Sequence, residues 1–239
     1  MNAAVAEANS RTQAASAGYG FLAWLFLEPP DADFIARLLA RDVQNDLRGL
    51  PSGSKAGAAW SAGWQEMSCA ATGNGTRSVD ETCLALQVER TRFLRGACHP
   101  DDPPPPYESL YLAPLDRGGT SVLAEVAEFY RLARVELPAD PVDQLDSLGL
   151  ELDLMRLLSE EENLARERKD VEDADLMAEL QQRFLREHLL AWAPLFCEKM
   201  MALSTTGFYR GVARLLLGFL EEQALILLER QSGFATITR

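Results

Sequence analysis

Two histidines, four cysteines and a surplus of acid are the residues of this 239-residue chain whose chemistry could reach beyond packing. His99 and His188 are too few for a histidine-rich metal site or a paired-histidine mechanism. Cys69, Cys83, Cys98 and Cys197 stand 14, 15 and 99 positions apart, so no CxxC pair exists. Cys98-His99 is a sequence neighbour pair, and His188 and Cys197 are separated by a stretch containing Pro194; neither has the spacing of a metal clip. Free thiols in a reducing compartment are expected, with Cys69, Cys83 and Cys197 as small buried hydrophobes. There is no GxSxG, no HExxH and no glycine-rich phosphate loop, so no motif supplies a nucleophile. The sequence reads as that of a non-enzyme with no cofactor and no metal.

The acids are the larger feature. Thirty-six acidic residues against 23 basic ones give a net charge of -13, which argues against nucleic acid and anionic lipid as partners. Between positions 136 and 179 there are 15 acids and 4 bases, which holds most of the excess. One reading is a solvated helix face with a charged interhelical loop at 160–175; the other is an electrostatic complement to a basic peptide. Asp140, Asp143, Asp146, Glu151 and Asp153 cluster at one loop-to-helix junction, and the macrodipole favours Asp146 near the helix start. Acid–base chemistry would need one raised and one depressed carboxyl in a cleft. A second patch, Pro106-Tyr107-Glu108-Ser109-Leu110-Tyr111, places two tyrosines beside an acid in a loop. Its rings either pin that loop to the body, hydroxyls to water, or form the rim of a peptide site.

The elements that must position these residues are helices. Tyr19, Leu22, Leu25 and Phe26 share one face of a helix over 12–27, stopped by Pro29-Pro30. Asp31 caps a second helix, and a third runs over 58–71. Ser78 and Glu81 form a capping box for a helix that ends at Gly96. Four consecutive prolines, Pro103 to Pro106, make 99–119 an irregular, extended segment. Helices then follow from 121 to before Pro138, over 146–169, over 174–190 and over 193–203. The last, 208–230, is about 34 Å long at 1.5 Å per residue. The apolar run 18–27 is too short to span a bilayer and has no cleavage site after it, so neither membrane insertion nor a secretory signal is expected. No strand pattern and no repeat are present. The expectation is an all-α bundle, one domain over 1–239 with its core at about 15–230, in the cytoplasm.

The order of motifs carries a resemblance. Tyr19-Gly20-Phe21-Leu22-Ala23-Trp24-Leu25-Phe26 and Pro29-Pro30 lead, followed by Phe93-Leu94-Arg95-Gly96 and Pro106-Tyr107-Glu108-Ser109-Leu110-Tyr111. Then come Glu128-Phe129-Tyr130, the run from Asp146 to Met155, Phe184, His188-Leu189, Trp192 and Phe208-Tyr209. Over about residues 15–225 this resembles the TorD/DmsD-like family of cytoplasmic chaperones for molybdenum-containing redox enzymes. The resemblance implies a family-specific helical fold and a role without turnover. The partner it implies is the apo catalytic subunit of a molybdenum-containing oxidoreductase, its twin-arginine signal peptide, or both. It implies binding residues at Tyr107, Glu108, Ser109 and Tyr111 and at Asp143, Asp146, Ser147 and Glu151, supported from the core by Tyr130 and Trp192. In that reading guanidinium forks meet the carboxylates. The family commonly carries Asp-His where this chain reads Asp146-Ser147, so a pH-sensitive release resting on that imidazole lacks its residue here. The alternative is a helical subunit that stays in a redox-enzyme complex; a monomer or homodimer fits either.

Overall fold

The computed structural model describes residues 3–40, 55–96, 102–112, 121–135 and 145–237. Helix α1 (Ala3–Leu27) stops at the Pro29-Pro30 pair, and the Asp31 carboxylate accepts the Phe34 amide at 2.7 Å to begin α2 (Ala32–Leu39). α3 (Lys55–Ala71) closes in a 3-10 turn. The capping box at the start of α4 (Val79–Leu94) forms: Ser78 N donates to Glu81 Oε2 at 2.8 Å and Glu81 N donates to Ser78 Oγ at 3.3 Å. After α5 (Glu108–Leu112), Ser121 caps α6 (Val122–Leu132). α7 (Leu148–Arg168) turns on Lys169, at φ 61, into α8 (Val171–Phe184), whose cap is Asp170. A wide π turn, Leu185–Leu189, leads directly into α9 (Leu190–Leu203), and α10 (Phe208–Ile237) ends the chain.

The described residues form an all-α structure, as the apolar periodicities require. Four boundaries differ from the sequence expectation. The proline-rich segment contains the short α5, because its amides find acceptors in the turn before α7. Residues 190–193 do not break the chain: Pro194 lies inside α9, where the adjoining π turn already departs from the regular ladder. α1 starts earlier and α10 runs further than expected.

α1 lies along α7, α8 packs on the other side of α7, and α10 packs against α3 and α9. One cluster of buried side chains joins the other helices, and α5 packs against it through half-buried Tyr111 and Leu112. At the α3–α10 crossing the two backbones touch: a Cβ added at Gly63 would be 2.7 Å from the Gly211 carbonyl oxygen, and one at Gly211 2.6 Å from that of Gly63. Only glycine allows that approach. The bend leading into α10 is held by a distant carboxylate, Glu89 of α4, which accepts the amides of Thr205 and Thr206. Between α7 and α8, Ser159 Oγ donates to Gln181 Oε1 at 3.0 Å, Gln181 Nε2 to Glu162 Oε2 at 2.7 Å, and Arg166 Nε to Glu162 Oε1 at 3.0 Å. No described helix is long and apolar enough to cross a membrane.

Candidate functional site

The two patches singled out in the sequence meet. Tyr107 and Ser147 form an isolated antiparallel bridge pair: Glu108 N donates to the Asp146 carbonyl and Leu148 N to the Pro106 carbonyl, both at 2.9 Å. The starts of α5 and α7 thus satisfy each other's otherwise unpaired amides. Asp146 adds a side-chain bond, its Oδ2 accepting Ser109 N at 2.9 Å. It therefore caps α5, 37 residues earlier, and not its own helix; Ser147 is the N-cap of α7 and makes no side-chain cap bond there.

Below this junction the chain buries four polar side chains together. Glu108 and Glu151 are 0% exposed, His188 and Trp192 1%. His188 Nδ1 is 2.7 Å from Glu108 Oε2, and Trp192 Nε1 donates to Glu151 Oε2 at 3.1 Å. The imidazole is fixed by rings, stacked on Phe184 at 4.7 Å between centroids and edge-on to Phe129 at 5.1 Å. The π turn and the start of α9 bring His188 and Trp192, four residues apart, to the same side. Burial pushes the Glu151 carboxyl well above the usual carboxylate range, reinforced by the neighbouring Glu108, while the Trp192 bond works the other way. Asp146 adds a further upward push.

The aromatic residues complete the arrangement. Tyr111 OH donates to the Pro104 carbonyl at 2.8 Å, so this hydroxyl is turned into the proline segment and not to water. Its ring rests on Trp192 at 5.2 Å and meets Phe196 edge-on at 6.1 Å, with Lys199 Nζ 5.8 Å from its centroid. Burial raises the Tyr111 phenol, and burial followed by the nearby Asp146 raises that of Tyr107. Tyr130 lies in the core, its hydroxyl donating to the Leu150 carbonyl at 2.9 Å. Burial, then the charge of Glu151, raises its phenol.

The structure therefore brings Tyr107, Glu108, Ser109, Tyr111, Asp146, Ser147 and Glu151 to one place, with Tyr130 and Trp192 behind them. Asp143 lies outside the described residues. The carboxylates do not form an open acidic wall for guanidinium groups: Glu108, Asp146 and Glu151 face inward and are bonded within the chain. What faces outward is half-buried tyrosine, exposed Leu110 and Leu195, and exposed Lys199. His188 is the residue that site reading from the sequence passed over. Its signals there are its place in the ordered run of motifs and the four-residue spacing to Trp192, which places both on one helical face. Among the described residues, no group of three or more acidic, histidine or cysteine side chains could hold a metal ion.

Residues 55–198 match the family described as the nitrate reductase delta subunit, a span that contains every residue of this site. Similar proteins include the chaperone protein TorD of Vibrio parahaemolyticus, 27% identical over 123 residues, or 52% of this chain and 56% of that one. The TorD chaperone of Actinobacillus pleuropneumoniae is 31% identical over 119 residues, 49% of this chain and 52% of its own. The chlorate reductase assembly chaperone protein of Ideonella dechloratans is 33% identical over 91 residues, 38% of this chain and 46% of its own. The chain spans about half the length of the curated relatives it matches. With more than half of its own length inside the match, the chain belongs to the nitrate reductase delta subunit family, the TorD family of helical proteins.

Proposed function

We propose that this protein is a dedicated chaperone that binds the cofactor-free catalytic subunit of a molybdenum-containing oxidoreductase and holds it for cofactor insertion and assembly. The reading is supported by the family membership and by relatives named chaperone protein TorD and chlorate reductase assembly chaperone protein. It works without turnover, as one helical unit in the cytoplasm. The client segment, which includes the twin-arginine signal peptide where the client has one, lies along the rim of Tyr107, Ser109, Leu110 and Tyr111, beside Leu195 of α9. Aromatic and apolar side chains there offer contact area at low conformational cost. The inward-facing Glu108, Asp146 and Glu151 act by holding the rim's backbone in place. Guanidinium groups of a twin-arginine segment would find their carboxylates elsewhere on this acidic chain.

The test is capture of the tagged protein from its native extract, with bound proteins identified by mass spectrometry, followed by titration with the client found. A stoichiometric cofactor-free molybdoenzyme subunit is the expected result. Tyr111→Ala then weakens client affinity about tenfold, the loss of one interfacial aromatic, with helix content unchanged. Unaltered affinity removes Tyr111 from the site.

A helical subunit that stays in a redox-enzyme complex is the second reading. Leu225 and Leu228 favour it, since both are exposed on α10 at 54% and 58%. Sedimentation distinguishes the two: a free protein with exchangeable client supports the chaperone, and a permanent complex the subunit.

A further inference from the structure

The buried carboxyls under the rim do not balance as two anions. Of their four oxygens, Glu108 Oε2 is served by His188 and Glu151 Oε2 by Trp192. Among the described residues, Glu108 Oε1 and Glu151 Oε1 are both buried with no donor from any other group. Yet the two carboxyls lie within hydrogen-bonding reach of each other. Two carboxylates cannot bond to one another, because neither has a hydrogen to give. One proton between the two orphaned oxygens satisfies both and removes a like-charge repulsion from an apolar interior.

We propose that Glu151 keeps its proton at neutral pH and donates it to Glu108, and that this buried carboxyl pair is the clasp fixing the rim segment 104–111 to the start of α7. The clasp has three parallel connections above it, from Glu108 N, Ser109 N and Leu148 N, all spanning the same two helix starts. Each depends on α5 and α7 staying side by side. Removal of the shared proton puts a second negative charge beside the first and loosens all three together.

The groups facing the pair come from every neighbouring element. Asp146 in the turn before α7 is a third acid acting on Glu151. Tyr130 of α6 faces Glu151, with Asp153 also acting on it. The π turn contributes His188, and α9 contributes the neutral Trp192. Asp146 and Asp153 are both acids, so they add to the cost of ionising the pair.

The inference concerns the chain's own rim and stands whichever partner the rim binds. Its first test needs no variant: a carboxyl-carbon nuclear magnetic resonance titration of protein labelled at glutamate. A glutamate carboxyl still protonated at about pH 7 is expected, and its absence overturns the proposal. The second reads amide hydrogen exchange at Glu108, Ser109 and Leu148 from about pH 6 to about pH 9, corrected for intrinsic exchange. Wild-type protection falls about tenfold or more over that range. In Glu151→Gln, whose amide still donates to Glu108 and accepts from Trp192, protection stays level and the protonated-carboxyl signal is lost. An equal fall in Glu151→Gln overturns the clasp. Should that variant not fold, Glu108→Gln, which preserves an acceptor for His188, gives the same reading.

Discussion

Two acid-rich regions of this molecule bury carboxylates in opposite ways. At the α7–α8 contact, Glu162 is met by Arg166 and Gln181, and Asp173 by Arg134 and Arg168. Under the rim, Glu108 and Glu151 meet a histidine, an indole and each other, with no arginine among the described residues bonded to either carboxyl. A carboxylate forked by a guanidinium keeps its charge and its geometry over a wide pH range, since arginine does not titrate in proteins. A carboxyl paired with another carboxyl keeps its geometry only while one proton remains. The first arrangement is a fixed joint and the second a conditional one. The conditional one lies beneath the surface proposed for the client.

The comparison breaks most visibly at Glu162. Glu162→Ala leaves Arg166 without its acceptor inside the contact and leaves the Gln181 amide to the longer bonds with the Leu158 and Met177 carbonyls, and about 3 kcal/mol of stability is lost, read from the denaturation midpoint. A smaller and differently shaped effect sharpens the contrast at the rim. The Glu151 carboxyl is raised in the folded state above its unfolded value of 4.5, so folding binds a proton between those two points. Its contribution is fully present below the unfolded value and is lost as pH rises through the folded one. Wild type should therefore lose stability against Glu151→Gln as pH rises above the unfolded value. A urea midpoint series at several pH values that keeps the two proteins parallel would contradict this. The smallest effect belongs to the outer edge of the fixed joint. Arg134→Ala removes a pair whose arginine side chain is 67% exposed, costing about 0.5 kcal/mol and less at high salt.

Local signals were legible in the sequence wherever the partner lies within a few residues. The Pro29-Pro30 stop, the Asp31 cap and the Ser78–Glu81 box all reappear at their positions. Signals whose meaning is set at long range were not. Asp146 reads as a helix-start acid, and its partner is an amide 37 positions away. The proline run argues for extended backbone, yet the tertiary acceptors of the α7 turn draw α5 out of it. Glu108, Asp146 and Glu151 read as a surface patch because acids are mostly solvated. Their burial depends on His188 and Trp192, 80 and 41 positions from their partners. The resemblance to a family located the region; only the fold shows which way its side chains point.

The wide turn at Leu185–Leu189 has an angular consequence. An α-helix advances about 100° per residue, so one surplus residue in a turn shifts the phase of everything after it by about that angle. α8 is committed to α7, and α9 to α10. Without the phase slip, a continuous helix could face one of these neighbours correctly and would turn its other half aside. The surplus residue acts as a vernier between the two halves, and Trp192 reaches Glu151 because the offset is built into the backbone ahead of it. Length in this stretch is thus held more tightly than composition: a side chain can be exchanged there, but a residue cannot be added or dropped without rotating the indole away from the acid.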